Sequence, residues 1–305
     1  MAAHRENSVP QGHAVCQTAL DRVCGIILGM KTWTTAKIRK CKGTELIPCV
    51  TAYDAPCARI FDEAGIAMIL VGDSVGNNVL GFSSTVPVTM DMMLHHVAAV
   101  ARGAQNALVI ADMPFMSYQI SDDQGMANAG RLVQEAGADA VKLEGGEFRA
   151  PLVKRLVDNG IPVCAHIGLT PQSINAFGGC RVQGKTEDAA RELLEDALAV
   201  QEAGAFSVVL ECIPAPVAEL ITSKLEIPTI GIGGGAECDG QILVYQDMLG
   251  TFTDYVPKFV KQFANIGEAM TKAFEEYDAA VKDKSFPDEE HSFQMKNEEA
   301  LKRLY

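Results

Sequence analysis

The sequence lacks an excess of positive charge, a paired-cysteine motif, a long apolar run and a linker. Lys and Arg number 26 against 39 Asp and Glu, for a net charge of −13. That balance gives no electrostatic footprint for a phosphate backbone, and the one basic run, Lys37 to Lys42, is too short to reverse it. Nucleic acid is therefore excluded as a partner. The nine cysteines, at 16, 24, 41, 49, 57, 164, 180, 212 and 238, form no C-x-x-C pair and are odd in number. They read as buried thiols in a reducing compartment, and zinc is not indicated. The apolar run Val23–Met30 is too short to span a bilayer and directly follows Asp21 and Arg22. No membrane partner is expected, and the chain is placed in the cytoplasm; a transit peptide would carry more Arg and Ser and fewer acids than residues 1–29 do.

What is present is ordinary globular material: 305 residues, 48% hydrophobic and 21% charged. Length fits two domains of about 150 residues or one α/β barrel of about 250. Residues 1–29 show no sustained period and read as a loosely ordered extension, with Met30 a candidate natural start. From Leu46 onward, short apolar runs alternate with amphipathic stretches. The runs are Ile47–Tyr53, Met68–Asp73, Leu108–Asp112, Ala140–Glu144, Ile161–His166, Ser207–Glu211, Pro228–Ile232 and Ile242–Tyr245. They are nearly continuous Val, Ile, Leu, Ala and Cys, as parallel strands covered by helices should be. Four repeats of helix, glycine, strand place Gly65, Gly137, Gly160 and Gly204 as helix stops, and Thr186 reads as the cap of a helix with Glu187 and Asp188 in its first turn. About eight βα units predict an α/β fold, a single (β/α)8 TIM barrel, with a doubly wound open sheet as the alternative. The period of Val256, Phe259, Val260 and Phe263 predicts a C-terminal helical extension over Tyr255–Val281. The expected organisation is an extension at 1–29, a catalytic barrel with terminal helices at 30–293, and a peripheral tail at 294–305.

In such a barrel the reactive groups sit where strands end. Asp73 and Ser74 close the second run, Asp112 the third, Lys142 and Glu144 the fourth, and Glu211 the sixth. A single carboxylate there serves equally well as a helix cap or a solvated strand end; four together point to function. Lys142 and Glu144 are two apart and so share a face, where desolvation requires a compensating ion or substrate. Asp73 and Asp112 end adjacent strands and bring two carboxylates to one cation. Few, oxygen-only ligands favour Mg²⁺. His166 reads as a structural imidazole or a substrate contact, and His95 and His96 as structural or surface residues. Gly231–Gly235 leaves room for a phosphate, substrate or cofactor, while Gly76–Met90 and Phe177–Gly184 are long enough to be mobile covers. Met90, Met92 and Met93 read as core filling.

Seven motifs in order closely resemble ketopantoate hydroxymethyltransferase: Thr51-Ala-Tyr-Asp54, Val71-Gly-Asp-Ser-Val-Gly76, Ala111-Asp-Met-Pro-Phe115, Val141-Lys-Leu-Glu-Gly-Gly146, Ala165-His-Ile-Gly-Leu-Thr-Pro-Gln172, Leu210-Glu-Cys-Ile-Pro214 and Glu290-His-Ser-Phe293. The resemblance runs from about Met30 to Phe293. It implies a Mg²⁺-dependent homodecamer that transfers a hydroxymethyl group from 5,10-methylenetetrahydrofolate to 3-methyl-2-oxobutanoate, a step of pantothenate biosynthesis. Carried over motif by motif, it implies Asp73 and Asp112 as metal ligands and Glu144 reaching the metal through water. Glu211 would be the base, Ser74 and Lys142 would hold the keto acid, and His166 and Tyr53 would line the site. The chain departs from the family pattern at Gly233–Gly235, where an alanine is expected, and at Phe82, a position often occupied by His. The competing expectations are a Mg²⁺-dependent carbon–carbon lyase or mutase of the isocitrate lyase or phosphoenolpyruvate mutase type, and a non-catalytic barrel. The lyase reading wants a cysteine motif or added carboxylates; the non-catalytic one gives no reason to bury four strand-end acids.

Overall fold

The computed structural model describes residues 31–252, 256–296 and 298–303, so the expected extension at 1–29 lies outside the described residues. The described chain divides into two compact units, one ending at Tyr245 and one beginning at Gln246. In the first unit the order is α1 (Thr35–Lys40), β1 (Ile47–Thr51), α2 (Ala55–Glu63), β2 (Met68–Val71), α3 (Val75–Asn78), α4 (Met90–Gly103), β3 (Leu108–Asp112), α5 (Asp122–Gln134), β4 (Ala140–Glu144), α6 (Ala150–Asp158), β5 (Val163–Gly168), α7 (Ile174–Phe177), α8 (Glu187–Glu202), β6 (Ser207–Glu211), α9 (Ala215–Lys224), β7 (Thr229–Ile232) and β8 (Gly240–Leu243). The eight strands are parallel and close in sequence order, with β1 pairing β8, so the TIM barrel holds and the open sheet does not.

Two apolar layers follow from the two-residue period of the strands. Ile69, Val71, Val109 and Ala111 pack with the helix residues Val97, Val100 and Leu132 in the layer between sheet and helices. Their alternates Met68, Leu70, Leu108 and Ile110 pack with Cys49, Cys164 and Val209 and fill the interior. Asp112, Lys142, Glu144, His166 and Glu211 continue this second set, so each projects into the barrel. Helix ends are as the sequence predicts. Thr186 accepts the Ala189 N–H at 3.3 Å, and Gly65, Gly137, Gly160 and Gly204 have φ of 84°, 79°, 82° and 100°. Met93 is fully buried in the core. The cysteines among the described residues are free thiols, and no helix among those residues is long and apolar enough to cross a membrane.

Three expectations are corrected. β8 runs Gly240–Leu243, two residues ahead of the apolar run, because its first residues are a glycine and an exposed glutamine; any Cβ at Gly240 would lie 2.5 Å from the Ile47 carbonyl. No helix joins β7 to β8, so residues 233–239 make that crossover alone. In the second unit, which contains α10 from its second residue (Tyr245–Met248) and α11 (Ile266–Asp283), the helical period at Val256–Phe263 is not a helix. Pro257 interrupts it, and the side chain of Asn265 caps α11 by accepting the Glu268 N–H, so the helix begins nearer its cap than its apolar period.

The amino-terminal end of the barrel is fastened by the carboxylates of Asp62, Asp139 and Asp239, the first and last of them buried. Asp62 accepts the backbone N–H groups of Gln105, Asn106 and Ala107 at 3.1, 2.8 and 2.6 Å and the Asn106 side chain at 3.0 Å, which fixes the start of β3. Asp139 accepts the Val109 N–H and Asp239 the Thr229 N–H. Burial pushes the Asp62 pKa up, but its four donors outweigh that and hold it below the usual carboxylate value. Asp62→Ala should cost on the order of 2–3 kcal/mol in urea unfolding, because it strands buried donors. Since the folded pKa is the lower one, this contribution is full above about pH 5 and fades as pH falls through the folded pKa. A difference between wild type and variant that stays constant into acid would contradict the assignment.

Candidate active site

The register of the barrel sets the neighbours at its carboxyl-terminal end. Asp112 pairs with Lys142 across β3–β4, Glu144 with His166 across β4–β5, and Gly168 with Glu211 across β5–β6. Gly168 has φ of 92°, and a Cβ there would lie 2.3 Å from the Glu211 carbonyl, so only glycine allows these two strand ends to close together. The side chains converge on a cavity of about 110 Å³. One wall carries Asp73, Ser74, Asp112, Lys142, Glu144, His166 and Glu211, and the other Leu70, Val209, Ile232, Ile242 and Val244.

Lys142 Nζ lies 2.6 Å from Asp112 Oδ1 and 3.2 Å from His166 Nδ1. The other imidazole nitrogen lies 3.1 Å from Glu211 Oε2, bent short of a hydrogen bond. In the neutral ring, with Nζ donating to Nδ1, the proton resides on Nε2 and faces Glu211. Burial and Lys142 lower the His166 pKa, but Glu144 and Glu211 outweigh them and raise it to about 9; the proton on Nε2 is common to the neutral and charged rings. Asp73 donates its backbone N–H to Asp112 Oδ2 at 3.0 Å, which locks the two aspartates together. Tyr53 is buried and stands behind Ser74 rather than on the cavity wall, its hydroxyl 2.8 Å from Ser74 Oγ. His96, expected as a structural or surface residue, buttresses it by hydrogen-bonding the Tyr53 carbonyl at 2.7 Å.

The charges do not balance. Burial, then Asp112 and Glu144, push the Asp73 carboxyl well above the usual range, against Lys142 and Gln172. Burial also raises Asp112, with Lys142 opposing. Burial works against the ammonium of Lys142, but Asp112, Glu144 and Asp73 outweigh it and raise its pKa above the ordinary lysine value. Of nine buried side-chain polar atoms without a hydrogen bond among the described residues, four line this one cavity: Thr85 Oγ1, Asp112 Oδ1, Glu144 Oε1 and His166 Nε2. Such concentration marks a ligand site, since buried polar atoms in proteins are ordinarily paired. Oxygen donors, surplus negative charge and a Glu144 oxygen without a hydrogen bond fit a hard divalent cation. Among the described residues no three His, Cys, Asp or Glu side chains form a cage. The donor set therefore suits an ion that keeps water and substrate in its shell, as Mg²⁺ does, rather than a structural zinc.

A family model for ketopantoate hydroxymethyltransferase matches residues 32–289. The chain belongs to the ketopantoate hydroxymethyltransferase family. It is 58% identical over 262 residues to the 3-methyl-2-oxobutanoate hydroxymethyltransferase of Syntrophus aciditrophicus (strain SB), covering 85% of this chain and 96% of that one. It is 56% identical over 274 residues to the protein of that name from Clostridium novyi (strain NT), covering 90% and 99%. Among solved structures, a phosphonopyruvate hydrolase complex with oxalate and Mg²⁺ has a TM-score of 0.54 at 13% identity, covering 90% of this chain and 98% of that one. A 2,3-dimethylmalate lyase of the PEP mutase/isocitrate lyase superfamily has 0.53 at 16%, covering 88% and 97%. The ketopantoate hydroxymethyltransferase barrel thus shares its fold with the lyase and mutase barrels, and at these identities the likeness concerns fold alone.

Sequence reading brought every listed strand-end group to one place but passed over Thr85 and Gln172. Thr85 stands in a loop without a motif around it; Gln172 closes the run Ala165–Gln172, where an amide among apolar and turn residues was the available signal. The family's Glu290–Phe293 motif lies in the second unit, where His291 Nδ1 sits 2.6 Å from Asp288 Oδ1. If Lys142 is the counter-charge of the buried acids, Lys142→Met should lose about 3–5 kcal/mol at pH 7 in urea unfolding, because it leaves them unneutralised. A loss below about 1.5 kcal/mol, the scale of a volume-conserving swap, would contradict that role.

Proposed function

We propose that the protein transfers a hydroxymethyl group from 5,10-methylenetetrahydrofolate to 3-methyl-2-oxobutanoate, giving 2-dehydropantoate and tetrahydrofolate in pantothenate biosynthesis. The observation that carries the reading is the convergence of Asp73, Asp112, Lys142, Glu144, His166 and Glu211 on one cavity in a chain of this family. Asp73 and Asp112 would hold Mg²⁺, with Glu144 as the further carboxylate beside it. When bound, the ion supplies a Lewis acid that stabilises negative charge developing on the keto oxygen, an effect worth several kcal/mol.

The chain's own groups do the rest. Lys142 and Ser74 bind the polar end of the keto acid, with Ser74 fixed by Tyr53 at 2.8 Å. The apolar wall of Leu70, Val209, Ile232, Ile242 and Val244 receives the branched end. Glu211 takes the proton from C3, and His166 at 3.1 Å holds that carboxylate toward the cavity. C3 then forms its bond to the methylene carbon, both C–N bonds from that carbon to the folate break, a water oxygen becomes the hydroxyl, and the C3 proton and one water proton end on the two folate nitrogens. Exclusion of bulk water by the loops after β2 and β5 keeps the carbon nucleophile from being reprotonated. The cytoplasmic homodecamer belongs to the same reading.

Glu211→Gln should retain keto-acid binding and lose exchange of the C3 hydrogen with deuterated solvent by about 10²–10⁴-fold, measured by NMR; undiminished exchange removes Glu211 as the base. Asp73→Ala should weaken Mg²⁺ dependence and keto-acid binding together. Normal metal titration in that variant would refute its role as a ligand. Turnover of 3-methyl-2-oxobutanoate that ignores methylenetetrahydrofolate would overturn the reaction itself.

A further inference from the structure

We propose that Gln172 is a positioning residue that aims the carboxylates of Asp73 and Glu144 at the cation, an inference that rests on the reading above. Gln172 is buried, in the loop after β5, and every polar atom of its side chain is used. Its Nε2 donates to Asp73 Oδ2 and to the Met113 carbonyl, both at 2.9 Å. Its Oε1 accepts from the Tyr118 hydroxyl at 2.7 Å and from Gln119 Nε2 at 3.0 Å. Its backbone N–H donates to Glu144 Oε2 at 3.0 Å. The Tyr118 hydroxyl in turn accepts the Glu144 N–H at 3.1 Å, so its proton is free to go to Gln172.

The orientation of the amide is dictated rather than chosen. The Met113 carbonyl is an acceptor without alternative, so the NH₂ end must face it and Asp73, and the oxygen must face Tyr118. One residue therefore ties down one oxygen on each of two carboxylates, one in the turn after β2 and one at the end of β4. The Asp112 carboxylate is tied in the same fashion, its Oδ2 held by the Asp73 N–H. The consequence is a division of labour on each acid. The tethered oxygens are Asp73 Oδ2, Asp112 Oδ2 and Glu144 Oε2; of the others, Asp112 Oδ1 meets the Lys142 ammonium at 2.6 Å and Glu144 Oε1 is a buried atom without a hydrogen bond. A carboxylate so held presents one oxygen in a fixed direction and loses little freedom when a cation arrives. A buried amide could equally serve only to glue the loop to the barrel. That role predicts lost stability without any change in cation affinity.

The test uses the full chain. Mn²⁺ and Mg²⁺ are titrated calorimetrically into wild type, Gln172→Met and Gln172→Glu, with thermal unfolding followed in chelator. Positioning predicts that Gln172→Met binds the cation about 10–100-fold more weakly and that turnover recovers as cation is raised. Gln172→Glu adds negative charge but removes both donors, so it too should bind more weakly; tighter binding would mean that net charge, not aim, governs the site, and would overturn the proposal. Unchanged affinity in Gln172→Met with a lowered melting temperature would also overturn it. Should neither variant fold, Tyr118→Phe removes only the hydroxyl that holds Oε1. It should show a loss in the same direction of less than about tenfold, and wild-type affinity there would count against the proposal. Absence of cation binding in wild type would instead sink the Mg²⁺ reading, so the two failures are distinct.

Discussion

Lys142 and Asp112, side by side across β3 and β4 at 2.6 Å, are the contact on which the rest of the site depends. Removing two charges from water is costly, and a single ion pair recovers that cost only with good geometry and further partners. Here the further partners are themselves acids, so the lysine neutralises one of them and leaves the others in surplus. A fold selected for stability alone would have little use for that surplus. On the proposed reading it becomes useful when a divalent cation and an anionic keto acid bind together, because the cation would answer the carboxylates and the lysine the substrate.

The two ends of the barrel use the same residue type in opposite ways. Asp62, Asp139 and Asp239 meet backbone donors at the amino-terminal end and hold strand starts in place. At the other end Asp112 Oδ1 meets the Lys142 ammonium at 2.6 Å, and Glu144 keeps an oxygen without a hydrogen bond. Hydrogen bonding to a carboxylate stabilises its charged form, whereas a buried carboxylate lacking such bonds awaits another cation. The distinction between structural and reactive acids is thus a matter of which donors surround them, and the rigid end supports the reactive one.

Much of this was legible in the sequence because period and position coincide. The apolar runs located β3, β4 and β6 to the residue, and the two-residue spacing of Lys142 and Glu144 correctly put both inside the barrel. Where side chains carried no pattern, reading failed. Gly240 and Gln241 begin β8 without apolar side chains, and Val256 to Phe263 show a helical period that Pro257 and the Asn265 cap override. Gln172 escaped for a different reason. Its importance lies in five simultaneous hydrogen bonds, all of them to groups at least 28 residues away in sequence, and such closure exists only after the chain has folded.

The crossover from β7 to β8 has a dynamic consequence. Its seven residues, 233–239, bring no helix to lie over the strands they join, and the ladder between those strands has only the two pairs Ile230–Gly240 and Gly231–Gln241. Local opening begins where contacts and hydrogen bonds are fewest. This side of the ring is its seam, the place where amide protons would trade with solvent soonest. Ile232 and Ile242, on the substrate-facing lining, border that seam, so breathing there would reach the pocket through its greasy side and leave the charged side still.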